Sequence, residues 1–192
     1  MKTKNIMIVG VGGQGSLLAS KLLGHLLCEE GFDVKVSEVH GMSQRGGDVQ
    51  SNLRLSTDAI YSDLIKQGSA DIIISMEPME ALRYMPYLSK EGVVVTSSNA
   101  FKNIPNYPDE QALRDELQAL PNVAVLPIED LAKQNNLPKS ANMVLLGMAA
   151  PYIEILSPEQ LREAIKRVFS SKGEQVVEMN CQAFDLGLNA IK

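Results

Sequence analysis

Apolar positions along this chain alternate between two rhythms. Short solid blocks rich in Val and Ile recur at residues 5–9, 34–39, 51–55, 71–75, 92–96, 123–126 and 175–179. Most lack a strict in–out alternation, which is how strands covered on both faces read. Between them, apolar residues recur every three or four positions. That spacing predicts helices over 14–30, 77–88, 109–119, 128–134, 142–155, 158–170 and 181–190.

Punctuation sharpens several of these boundaries. Glu77-Pro78 puts a carboxylate and a proline where a helix start favours them. Ser157, with Pro158 next and Gln160 three residues on, reads as a capping box. Gly31 fits the position just past a helix end, and Asn142 fits an N-cap. Pro151 is expected to kink or end its helix near Ala150. The segment 100–108, AFKNIPNYP, reads as a loop excursion and not as a domain boundary. Strands and helices in this order predict an α/β protein: a doubly wound, largely parallel sheet with helices on both faces, a Rossmann-like three-layer sandwich. Residues 1–192 are expected to form a single domain.

Composition narrows the function classes. An apolar fraction of 45% supports a packed core. Eighteen basic against 23 acidic residues leave a net charge of −5, which argues against a nucleic-acid partner. No apolar run reaches the roughly 20 residues of a membrane span. MKTKNIMIVG starts like a signal peptide but runs into a glycine turn without an adequate apolar region. The expectation is a cytoplasmic protein with no membrane contact. Cys28 and Cys181 lie far apart outside any CxxC pattern, so they read as two buried thiols. Two cysteines and two scattered histidines, His25 and His40, offer no metal set. They also fall short of the four thiolates of a typical iron–sulfur cluster.

The sharpest local signal is IMIVGVGGQGSLLASKLLG. Gly10, Gly12 and Gly15 match G-x-G-x-x-G directly after a strand and at the opening of a helix. Such glycines allow a tight turn, a close backbone approach to a ligand and close helix–strand packing. Free N–H groups at the helix start suit an anion. Glu38, near the end of the second strand, is the candidate acid for a ribose hydroxyl. Three readings stay open on the pattern: a dinucleotide site, another phosphate ligand or interface, and packing alone. Gly13 and Gln14 at the tip depart from the usual dinucleotide wording, and the Gln14 amide suggests a specific contact to a ligand or partner chain.

A second loop, EVHGMSQRGG, follows the second strand. Both loops should lie on the carboxyl edge of the sheet, where such folds bind ligands. Arg45 brings donors suited to phosphate or carboxylate, Ser43 and Gln44 add polar contacts, and Gly46 and Gly47 free the backbone. Its bland reading is a solvent-facing loop with an arginine. Glu38, His40 and Met42 are possible ligand or partner contacts, though His40 could simply bond its own backbone. His25 reads as structural. Most of the methionines read as core filler, with Met42 and Met143 as candidates for an apolar interface. No residue stands out as catalytic.

GVGGQG followed by SEVHGMSQRGG resembles the gamma-type domain of 2-oxoacid:ferredoxin oxidoreductases, and the VHGMSQRGG wording resembles its indolepyruvate branch. The resemblance spans nearly the whole chain. It implies oxidative decarboxylation of a 2-oxoacid, an aryl pyruvate such as indolepyruvate, to an acyl-CoA. Thiamine diphosphate and iron–sulfur clusters would sit in a larger partner subunit, with ferredoxin as electron acceptor and coenzyme A as acyl acceptor. No thiamine signature or cysteine cluster occurs here, so the chain would hold no cofactor alone and would not be active alone. The rival reading is a stand-alone NAD(P)-dependent oxidoreductase using Gly10, Gly12, Gly15 and Glu38.

Overall fold

The solid apolar block at the start becomes the central strand β1 (Lys4–Val11), and the glycine turn after it leads into α1 (Ser16–Glu29). Next come β2 (Asp33–His40), β3 (Asp48–Ser56), β4 (Ala70–Ser75), α2 (Pro78–Arg83), β5 (Leu88–Ser97), α3 (Glu110–Gln118) and β6 (Val123–Leu126). Four helices close the chain: α4 (Ile128–Gln134), α5 (Ala141–Ile153), α6 (Pro158–Phe169) and α7 (Glu174–Asn189). The computed structural model describes residues 3–41 and 46–191.

The strands form one mixed sheet in the order β2-β3-β1-β4-β5-β6. β1, β4, β5 and β6 pair in parallel. β3 is antiparallel to both β1 and β2, so only β3 runs against the rest. Helices cover both faces, as expected. Ile6, Ile8, Ile72, Ile74 and Val95 face a thick layer of α1, α4, α5, α6 and α7. Met7, Val9, Ile73 and Val94 face a thinner layer built on α2 and α3.

α5 is apolar all round and sits inside the thick layer, with Met143, Val144, Leu146, Met148 and Ala149 fully buried. It meets α7 backbone to backbone. A Cβ on Gly147 would collide with the Phe184 carbonyl, and one on Gly187 with the Val144 carbonyl. Glycine is required at both by this close approach.

Several expectations change. Residues 175–179 are not a strand but the first turns of α7. Asn180, Ala183, Phe184 and Gly187 are buried at helical spacing, and that period outweighs the local β-branched pair. The helix expected over 77–88 stops at Arg83; a short 3-10 turn carrying Pro86 follows, and Leu88 already belongs to β5. Pro151 does not end α5. It removes one donor near the C-terminus, and Lys4 Nζ reaches the carbonyls of Tyr152 and Ile153 at 2.9 Å each, capping the exposed end. Ser140, not Asn142, holds the N-cap position of α5. β2 is an edge strand and not a buried one, with Val36 40% and Val39 49% exposed. The Ser157–Gln160 capping box and the positive φ at Gly31 are as expected, and residues 100–108 hold no helix or strand.

Candidate functional site

Four connections meet at the carboxyl edge of the sheet. β1 leads into α1 through residues 12–15, and the β2–β3 hairpin spans 41–47. β4 leads into α2 through Met76 and Glu77, and β5 leads into α3 through residues 98–109.

The two glycine loops are directly bonded. Gly12 N–H donates to the Gly47 carbonyl at 2.8 Å, and Gly46 N–H donates to the Gly12 carbonyl at 3.2 Å. This exchange continues the β1–β3 ladder, which pairs Val11 with Asp48, past the end of the strands. Gly13 and Gly15 take positive φ, with open space where a Gly13 Cβ would stand. A Cβ on Gly15 would instead press on the Asn142 amide at 2.9 Å. α1 starts with no side-chain cap and no acidic residue in its first turn, so its N-terminal donors favour an anion. Gln14 turns inward: its Oε1 accepts from Val11 N–H at 2.9 Å, and its Nε2 reaches toward the Met76 carbonyl at 3.5 Å. The amide is spent on locking the loop to the β4–α2 turn.

Met42, Ser43, Gln44 and Arg45 lie outside the described residues. Glu38 and His40 lie near the end of β2, with His40 Nε2 3.7 Å from Glu38 Oε2. β3 separates β2 from β1, so Glu38 stands two strands away, roughly 10 Å at the usual strand spacing. A ribose-binding acid belongs on the neighbouring strand, which removes the support for a nicotinamide dehydrogenase. His25 is exposed on α1, and so is Cys28, which is therefore not the buried thiol expected. Met143 is core and no interface residue, and Cys181 is buried as expected. Both cysteines are free thiols, and among the described residues no group of three or more His, Cys, Asp or Glu is placed to hold a metal. These residues do not fit an iron–sulfur cluster, and no electron-transfer step is assigned to them.

Beneath the glycine loops lies a buried polar cluster that sequence reasoning did not find. Glu77 is fully buried. Its Oε2 accepts from Glu80 N–H at 2.9 Å, while its Oε1 accepts from the Tyr107 hydroxyl and from Phe101 N–H at 3.4 Å. The Tyr84 hydroxyl donates to Asp48 Oδ2 at 2.7 Å. Glu80 is buried beside Asp48. Arg83 Nε stands 3.1 Å from Glu80 Oε2 but off the hydrogen-bond line, so that oxygen has no donor. Burial pushes the Glu80 carboxyl up to about 7; Arg83 opposes this, and the Asp48 and Glu77 carboxylates add to it. Burial and the bond to Asp48 raise the Tyr84 hydroxyl, and burial and the bond to Glu77 raise that of Tyr107. Glu77 was legible only as a helix cap. Nothing local marks Tyr107, 30 residues away, as its partner.

Comparison with known proteins assigns the class. The family model described as pyruvate ferredoxin/flavodoxin oxidoreductase matches residues 5–190. The chain belongs to that family, as a small subunit of the 2-oxoacid:ferredoxin oxidoreductase kind. Within it, the chain is 38% identical to the indolepyruvate oxidoreductase subunit IorB of Pyrococcus horikoshii, over 100% of this chain and 98% of the relative. IorB of Archaeoglobus fulgidus is 34% identical, over 96% and 94% of the two chains. The fold matches a 2-oxoglutarate:ferredoxin oxidoreductase from Magnetococcus marinus, solved with 2-oxoglutarate, coenzyme A and succinyl-CoA bound. The TM-score is 0.77 at 21% identity, over 100% of this chain and 31% of that one.

Proposed function

We propose that this chain is the small subunit of an indolepyruvate-type 2-oxoacid:ferredoxin oxidoreductase, acting as one gamma-type domain over residues 1–192. Its two glycine loops, with Gly10, Gly12, Gly13, Gln14 and Gly15 on one and Ser43, Gln44, Arg45, Gly46 and Gly47 on the other, form one edge that meets a larger subunit and coenzyme A. The larger subunit holds thiamine diphosphate and iron–sulfur clusters, and ferredoxin takes the electrons. The assembly is cytoplasmic. When bound, the thiamine centre supplies the decarboxylation chemistry. This chain supplies donors for an anionic group at the α1 N-terminus and, beside it, a second loop whose foot at Gly46 and Gly47 is bonded to Gly12.

The observation that carries this reading is the bonding of Gly12 to both Gly46 and Gly47. Two motifs some 30 residues apart form one structural unit, at the edge where folds of this kind bind ligands. No described helix is long and apolar enough to cross a membrane.

The test is anaerobic co-purification of the chain with its larger subunit, followed by ferredoxin reduction assays with indolepyruvate, pyruvate and 2-oxoglutarate. Indolepyruvate should be the preferred substrate, and activity should require both subunits and coenzyme A. Arg45→Ala should raise the KM for coenzyme A or weaken subunit association about tenfold, the worth of one charge-assisted hydrogen bond. An isolated chain that copurifies with nicotinamide and no partner would overturn the proposal.

A further inference from the structure

In the thick helical layer, the starts of α5 and α7 border one cavity of about 460 Å³, a volume within the range of small-molecule sites. Leu18, Phe169 and Met179 give it an apolar wall. The N-cap positions of the two helices are Ser140 and Gly173, and neither start has a side-chain cap. By contrast, Glu77, Asp109 and Ser157 cap α2, α3 and α6. The N–H groups of Ala141, Asn142, Glu174 and Gln175 donate to no described residue.

The charges at this place have the wrong sign for an empty site. Lys139 and Lys172 both line the cavity, and each directly precedes an N-cap residue. A cation beside a helix N-terminus is repelled by the helix dipole. Glu174 offsets part of that at α7, but the first turn of α5 holds no acid. Among the described residues lining the cavity, none is Asp or Glu. Neither lysine forms an ion pair with a described residue; the Lys172 ammonium lies 5.5 Å from the centre of the Phe169 ring. Water would satisfy the N–H groups but would leave the repulsion in place. An anion between the two lysines reverses its sign.

Ser140 points the same way. It also lines the cavity and is only 3% exposed. Serine at an N-cap usually accepts from a backbone N–H of its own helix. Here the hydroxyl makes no such bond and has no other partner among the described residues. A buried hydroxyl without a partner costs free energy, and the open side of this one is the cavity.

We propose that this cavity binds a small organic anion: a carboxylate or phosphate group carried on an apolar body. The charged end meets Lys139, Lys172 and the Ser140 hydroxyl at the two helix starts, and the body lies against Phe169 and Met179. The site is distinct from the glycine-loop edge and does not depend on what that edge binds.

The test is calorimetric titration of the assembled complex, and of the full chain in parallel, with phenyl phosphate, phenylacetate, inorganic phosphate and benzyl alcohol. At least one aryl anion should bind saturably with a Kd of about 1 mM or tighter. It should bind about tenfold tighter than inorganic phosphate or benzyl alcohol, because ring burial and charge pairing each contribute. The tighter aryl anion identifies the head group. Lys139→Gln combined with Lys172→Gln should weaken that probe about tenfold or more, and Ser140→Ala about threefold. Ser140→Ala deletes only an unbonded oxygen, so it carries the test if the lysine variant assembles poorly. Absence of saturable binding by both aryl anions would overturn the proposal. So would benzyl alcohol binding as tightly as they do, or affinities that the substitutions leave unchanged. Binding by the chain that vanishes in the complex would make the cavity a subunit interface. Displacement of the probe by coenzyme A would make it part of the glycine edge. Either result overturns a separate anion site.

Discussion

Where α5 meets α7, backbone touches backbone through Gly147 and Gly187, and among the fully buried side chains around the crossing are Val144, Ala183 and Phe184. On the other face, under the glycine loops, Asp48, Glu77 and Glu80 stand close together, partnered by two tyrosines and one arginine. The first region is stabilised by apolar burial and close contact. The second spends stability, because a buried oxygen without a donor costs more than a bond to water would. The contrast separates two tasks. The α5–α7 crossing gives the sheet a firm backing. The carboxylate cluster fixes the directions of loops that apolar packing cannot orient.

Three substitutions test this contrast, from the largest expected effect downward. Gly187→Val drives a side chain into the Val144 carbonyl. Backbone must move to admit it, so chemical denaturation should show a loss of more than about 3 kcal/mol, at the upper end of overpacking costs. A loss under about 1 kcal/mol would show that the crossing is loose. Glu77→Ala removes the α2 cap and strands the Tyr107 hydroxyl. The expected loss is about 2–3 kcal/mol, from one cap and one orphaned polar group. The accompanying sign is faster proteolysis within residues 98–109.

Glu80→Gln should have the smallest effect and the opposite sign. The fold raises the Glu80 carboxyl to about 7 from its ordinary 4.5. The folded state therefore holds a proton that the unfolded state has released across that window. Stability from this group is greatest below about pH 4.5, falls as pH rises toward 7 and is flat above. Glutamine cannot ionise, so the variant should gain on the order of 1–2 kcal/mol over wild type at pH 8 and almost nothing at pH 4. Melting curves at the two pH values check it. An equal effect at both would mean that packing, not charge, sets the cost.

The parts of the fold that could be read in advance share a cause. β1, β4 and β5 announce themselves because buried parallel strands need unbroken Ile and Val. Strand direction carries no such mark, so the reversal of β3 is invisible in the periodicity of 51–55. The one clue was distance: a connection of seven residues between β2 and β3 is too short for a parallel crossover, which needs a dozen or more. Residues 175–179 misled because two adjacent valines look like a strand in a short window. The glycines of the site were legible because their backbone demands have few other solutions. Tyr107 and Glu80 were not, since their partners are chosen by tertiary neighbours far along the chain.

The reversal of β3 has a consequence for how this edge can vary. A hairpin leaves and re-enters the sheet at neighbouring positions on the same rim. Residues 41–47 can therefore change in wording or length while both ends stay pinned, by Gly41 to Asp48 at one foot and by Gly12 to Gly47 at the other. Exchanging the segment between related chains should therefore leave the sheet unaltered, since backbone bonds hold both of its feet.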